Sequence, residues 1–158
     1  MVRNKEYRKK ELRLKGLLLF LLYMSALVYF LFFADWYGHV PGQGSEYSLN
    51  LIPFFEIRRF IMARRQLGFT AVFLNLFGNV IGFLPFGFFL PVISRKFHNI
   101  FLVTALGCLV SSCVEITQHV TRTGSCDVDD VILNTLGAVF GYLMFIAVDA
   151  LRRKIYDE

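Results

Sequence analysis

The chain has 158 residues, so one domain is the default. Hydrophobic residues make up 56% and charged residues only 18%, short of the roughly one quarter that covers a soluble domain, and mean hydropathy is +0.53. This argues against a soluble enzyme, a disordered chain, a collagen or a disulfide scaffold. Net charge is +5 with a pI near 9.3, and the basic residues flank apolar runs, which points to a membrane surface rather than to nucleic acid.

Four stretches are long enough to cross about 30 Å of hydrocarbon as helices: 16–34, 67–94, 97–114 and 131–148. Backbone groups cannot stay unpaired in lipid, and the runs do not alternate polar and apolar, so helices are expected and a barrel is not. The fold class is thus all-α, a polytopic membrane bundle of four helices. The first run follows a basic segment, 1–15, but it is long for a signal peptide, and Phe32-Phe33-Ala34 offers no small-x-small cleavage site. A retained signal anchor is expected. The segments 1–15, 95–96 and 151–158 hold 12 Lys and Arg, whereas 35–66 and 119–130 hold 5. The positive-inside rule then places both termini in the cytoplasm and the two poorer segments outside.

Beyond the first span, Trp36 and Tyr37 read as an interfacial aromatic belt, and 37–45 is turn-forming. Asn50-Leu-Ile-Pro-Phe-Phe55 leads into a short interfacial helix over 56–65. Arg58 and Arg65 share a helical face with Phe54 and Ile61, so no clean apolar stripe exists. These arginines suit either a headgroup anchor or an anionic ligand, because guanidinium can hold carboxylate or phosphate with two parallel hydrogen bonds.

The second run carries Asn75 and Asn79 one turn apart, with Gly78 and Gly82 beside them and Pro85 below, a site for a kink. Glycines four apart admit a close neighbouring helix, and the two amides suit a polar seam or plain interhelical hydrogen bonds. The third span ends with Glu115, Gln118, His119 and Arg122, which share one face. A carboxylate that close to hydrocarbon should face the bundle interior, with Arg122 as a candidate partner or protonation as the alternative. The loop then reaches Asp127, where the fourth helix begins. Asp130, Asn134, Gly137 and Gly141 form one stripe: an acid, an amide and a glycine groove. N-capping and the helix dipole account for one or two of Asp127, Asp129 and Asp130, but not for Asn134 inside the span.

Cys108 and Cys113 read as small hydrophobes within a span, and Cys126 as outward-facing. A metal site of Cys126, His119 and Asp127 lacks a recognised ligand spacing, so neither a metal nor another cofactor is expected. Nucleotide-binding, serine-hydrolase and metalloprotease motifs are lacking.

Taken together, Asn50-Leu-Ile-Pro-Phe54, the segment from Asn75-Leu-Phe-Gly-Asn79 to Leu84-Pro-Phe-Gly87, Glu115-x-x-Gln118, and Asp127-x-x-Asp130-x-x-x-Asn134-Thr-Leu-Gly137 resemble the VanZ-like family over roughly residues 15–150. The resemblance implies a bacterial multi-helix membrane protein. From the family's namesake it also implies an accessory part in low-level resistance to teicoplanin, a lipoglycopeptide. Some relatives place an arginine three residues before the first Asp of the last motif; here that position is Gly124, and Arg122 is nearest.

Three functions fit these residues. The first is an envelope protein whose outward polar pocket, drawn from Asn50, Arg58, Asn75, Asn79, Glu115, Gln118, Arg122, Asp127, Asp130 and Asn134, takes an anionic lipid-like, lipid-linked or lipoglycopeptide ligand. The second is an intramembrane enzyme acting on a lipid headgroup. It would use Glu115 and Asp130 as acid and base, or Asp127 and Asp130 on a divalent cation. The third is a transporter, which with four spans would need a homodimer through a surface such as Gly137 and Gly141.

Overall fold

A computed structural model describes residues 2–33 and 49–156. The chain forms α1 (Val2–Phe32), β1 (Leu49–Asn50), α2 (Phe55–Leu67), α3 (Phe69–Ile93), a single 3-10 turn (Arg95–Phe97), α4 (Ile100–Thr121), β2 (Cys126–Asp127) and α5 (Val128–Tyr156). The expected aromatic belt at Trp36 and Tyr37 and the turn over 37–45 lie outside the described residues.

Four helices hold segments apolar and long enough to cross a membrane: Lys10–Phe32, Val72–Ile93, Ile100–Thr121 and Val128–Ile155. The all-α membrane bundle read from the sequence is therefore the fold, and α2 is the expected short helix in the connection. One boundary differs from expectation. The apolar run 67–94 is broken at Gly68, whose φ of 84° ends α2 and starts α3, a conformation glycine adopts without steric cost. The third span ends as expected with Glu115, Gln118 and His119 on its last turns, and its helix stops at Thr121.

The bundle is apolar outside and selectively polar inside, as a chain solvated by lipid requires. Its apolar core joins Phe83, Phe86, Leu90, Val103, Ala138 and Tyr142, while Leu, Phe and Ile side chains cover much of the outer surface. The closest packing is between α3 and α5. A Cβ on Gly137 would lie 2.2 Å from the Val80 carbonyl oxygen, one on Gly141 1.9 Å from that of Leu84, and one on Gly87 1.8 Å from that of Ala138. Small residues let two backbones touch there, and α3 runs on as helix through Pro85 and Pro91. The glycine groove of α5 is thus filled by α3 of the same chain and is not open to a second copy. Gly82 faces α1 instead: its carbonyl accepts the Tyr23 hydroxyl at 2.7 Å. Gly78 has nothing within 4 Å of its would-be side chain.

Candidate functional site

The polar residues gather at the end of the bundle where α1 and α4 finish and α3 and α5 begin, opposite the basic N-terminal turns of α1 and the arginines at the end of α5. What brings them together is a two-residue parallel pairing of β1 with β2, Leu49 against Cys126 and Asn50 against Asp127. It lays the segment before α2 across the start of α5.

Each of the three aspartates then does something different. Asp127 caps its own helix: its Oδ1 accepts the Asp129 N–H at 2.9 Å and the Asn50 side-chain amide at 3.0 Å. Asp129, 1% exposed, reaches across to α2 and accepts the N–H groups of Phe54, Glu56 and Ile57. That helix has no side-chain cap of its own, because Phe54 stands at its N-cap with φ 64°. Asp130 accepts the side-chain amide of Asn79 on α3. The N-termini of α2 and α5 therefore both meet a carboxylate, the favourable sign for the helix dipole.

Behind this layer, Glu115 is 4% exposed and its Oε2 accepts the Asp127 backbone N–H at 3.0 Å. The carboxylate that had to face inward does so, with an N–H as its partner. Asn134 donates to the Ser111 hydroxyl at 2.8 Å, a fully buried bond between α5 and α4. Gln118 turns the other way and donates to the Leu31 carbonyl at 2.9 Å, tying α4 to the end of α1. Arg122 ends α4 in the left-handed conformation with an exposed side chain.

A cavity of about 180 Å³ opens between β1, α2, α3 and α5. Its wall carries the carboxylates of Glu56, Asp127, Asp129 and Asp130, the amides of Asn50 and Asn75, Ser125 and one arginine, Arg59. Ile57, Phe60, Leu76 and Leu133 supply the apolar part. Arg59 pairs with Glu56 at 2.6 Å and lies over the Phe60 ring. Of the residues singled out from sequence, Asn50, Asn75, Asp127 and Asp130 meet on this wall, with Asn79 bonded to one of them. Glu115 and Asn134 sit behind it. Arg58, Gln118 and Arg122 are not among the wall residues. Arg59 occupies the place expected of Arg58, since one residue rotates the side chain by about 100° around a helix.

Burial pushes the Asp127 carboxyl above its ordinary range, against the pull of the Asp129 N–H and the Asn50 amide. Glu56 is raised for the same reason, although Arg59 opposes the shift. Burial likewise raises the Cys126 thiol. Among the described residues no three or more His, Cys, Asp or Glu side chains are arranged to hold a metal ion, so Cys126, His119 and Asp127 do not form such a site.

A model of the VanZ/LLP1 family matches residues 20–149. The chain is similar to Protein VanZ of Enterococcus faecium, 30% identical over 127 residues that cover 78% of this chain and 69% of that protein. No solved structure matches it. Four spans, a family match across all of them and this relative agree: the chain is a multi-pass membrane protein of the VanZ/LLP1 family.

Proposed function

We propose that this protein is a VanZ-like accessory factor of the bacterial cell envelope, with both termini in the cytoplasm and its polar cavity open to the outside. There the cavity receives the head of a lipid-like ligand, either a lipid-linked wall intermediate or the acylated end of a lipoglycopeptide. The observation that carries this reading is the cavity itself, which sits at the pole away from the basic segments. Arg59 supplies the fork for an anionic group. The carboxylates outnumber it, so a head bearing only negative charge would be repelled. The ligand that fits adds hydroxyl or amine donors for Asp127 and Asp130, and an acyl chain for the Phe-rich outer faces of the helices.

From the resemblance and the relative's name follows the proposed role: tolerance to teicoplanin-type antibiotics. The Glu115–Asp130 acid–base pair has no comparable support, because Glu115 spends an oxygen on the Asp127 N–H and is not part of the cavity wall. The test is ligand-induced stabilisation of the purified chain in detergent. Teicoplanin should raise Tm with the native chain and not with Arg59→Gln, and a glycopeptide lacking the acyl chain should raise it less. Equal shifts for native chain and variant would contradict the cavity as the binding site.

A further inference from the structure

A second surface, separate from the cavity, lies on the outward side of α2. Arg58, Ile61, Met62 and Arg65 follow the spacing i, i+3, i+4, i+7 and are all exposed, with Met62 at 66%. Phe54 and Phe55 extend the stripe toward the start of the helix and are also exposed. The opposite side, with Glu56, Ile57, Phe60 and Ala63, is the more buried one. A helix washed by water on its outer side would keep large apolar groups off that side. This one mixes them with cations there. Moreover, α2 is joined through Gly68 alone to α3, whose membrane-crossing segment begins at Val72. The helix therefore ends within a few residues of a membrane-crossing segment. Asp129 fixes it there by binding three backbone N–H groups at the start of α2.

We propose that this face is a binding surface for anionic phospholipid in the adjoining leaflet. Arg58 and Arg65 hold headgroup phosphates, and Phe55, Ile61 and Met62 enter the upper acyl region between them. Charge complementarity selects the occupant: guanidinium binds phosphate with two parallel bonds, and a basic amphipathic face binds anionic lipid in preference to neutral lipid. The bundle thereby gathers anionic lipid on one side of its polar pole.

A single-tryptophan reporter tests this. Trp36 is the chain's one tryptophan, so Trp36→Phe combined with Met62→Trp leaves the only indole on the face. The protein is reconstituted in phosphatidylcholine bilayers containing a minor fraction of brominated phosphatidylglycerol or, separately, brominated phosphatidylcholine. Brominated phosphatidylglycerol should quench at least about twofold more at equal mole fraction, and high salt should erase the difference. Adding Arg58→Gln and Arg65→Gln should also equalise the two lipids; both side chains are exposed, and the salt series on the parent reporter stands if the variant fails to fold. Equal quenching by the two lipids in the parent reporter would overturn the proposal. So would a preference that survives high salt or loss of both arginines. Weak quenching by either lipid would mean that protein, such as a second copy of the chain, covers the face, and would overturn it as well.

Discussion

Asp129 on α5 accepts the backbone N–H of Glu56 on α2 at 2.9 Å, across 73 residues of sequence. With the N–H groups of Phe54 and Ile57 on the same carboxylate, a side chain from one helix caps the start of another. Asp129→Ala leaves three donors without that acceptor at a buried position. The expected loss is about 2–4 kcal/mol, read as a lower Tm in detergent. Asp129→Asn keeps one acceptor oxygen and should lose less. Limited trypsin digestion should cut at Arg64 or Arg65 earlier in the Ala variant, because α2 is then held less firmly.

The α3–α5 contact gives an opposing pair of substitutions. Gly141→Ala sets a Cβ against the Leu84 carbonyl oxygen, and since the obstacle is backbone the helices must separate. A loss of roughly 1–3 kcal/mol or more is expected, with a matching fall in Tm. Gly137→Leu should be worse. Gly78→Ala meets nothing within 4 Å and should hold Tm or raise it, by about 0.5–1 kcal/mol from reduced backbone freedom.

Stability should also depend on pH through the first layer of the site. Burial raises Asp127 and Glu56 above their ordinary values of 3.8 and 4.5, so the folded state holds protons that the unfolded state has released. Their contribution is therefore full below the ordinary carboxylate range and is lost as pH rises through the raised values. Thermal melts should show Tm falling across the pH interval just above the ordinary range. Asp127→Asn keeps an acceptor for Asn50 and for the Asp129 N–H, and should flatten that slope. A slope unchanged in the variant would remove Asp127 as its source.

Orientation is testable with thiol chemistry in a chain lacking Cys108, Cys113 and Cys126. Ser125→Cys is exposed beside the cavity and should react with a membrane-impermeant reagent added to intact cells. Lys96→Cys, on the turn at the other pole, should react only after permeabilisation. The reverse pattern would turn the cavity toward the cytoplasm.

The spans were legible because lipid allows only helices and the chain spells them as charge-free runs. The stripe of Asp130, Asn134, Gly137 and Gly141 was legible because it is local, one helix face with one period; in the fold it contacts Asn79, Ser111, Val80 and Leu84 in turn. The role of Asp129 was not, since it depends on where residues 49–57 land on residues 126–129, a pairing that no local period encodes. One signal was present. Asn50-Leu-Ile-Pro-Phe-Phe55 offers no Ser, Thr or Asp immediately before α2, so its first N–H groups needed an acceptor from elsewhere. The choice of Arg59 over Arg58 was hidden for a related reason. Helical spacing says which residues share a face, and only the docked position of α2 says which face meets the cavity.

The proposed function rests on the cavity wall, and not on the outer arginines or the fold alone. The most direct measurement is the teicoplanin tolerance of a susceptible bacterial host expressing the native chain, Asp130→Asn, Arg59→Gln or Arg58→Gln, with membrane levels checked by immunoblot. Asp130→Asn preserves size and the ability to accept from Asn79 while removing the charge, and Arg59→Gln removes the guanidinium from the wall. Tolerance should rise with the native chain and with Arg58→Gln, and should be lost with Asp130→Asn and Arg59→Gln at equal membrane levels. Full tolerance in both wall variants, or loss only where the protein itself disappears from the membrane, would contradict the proposed function.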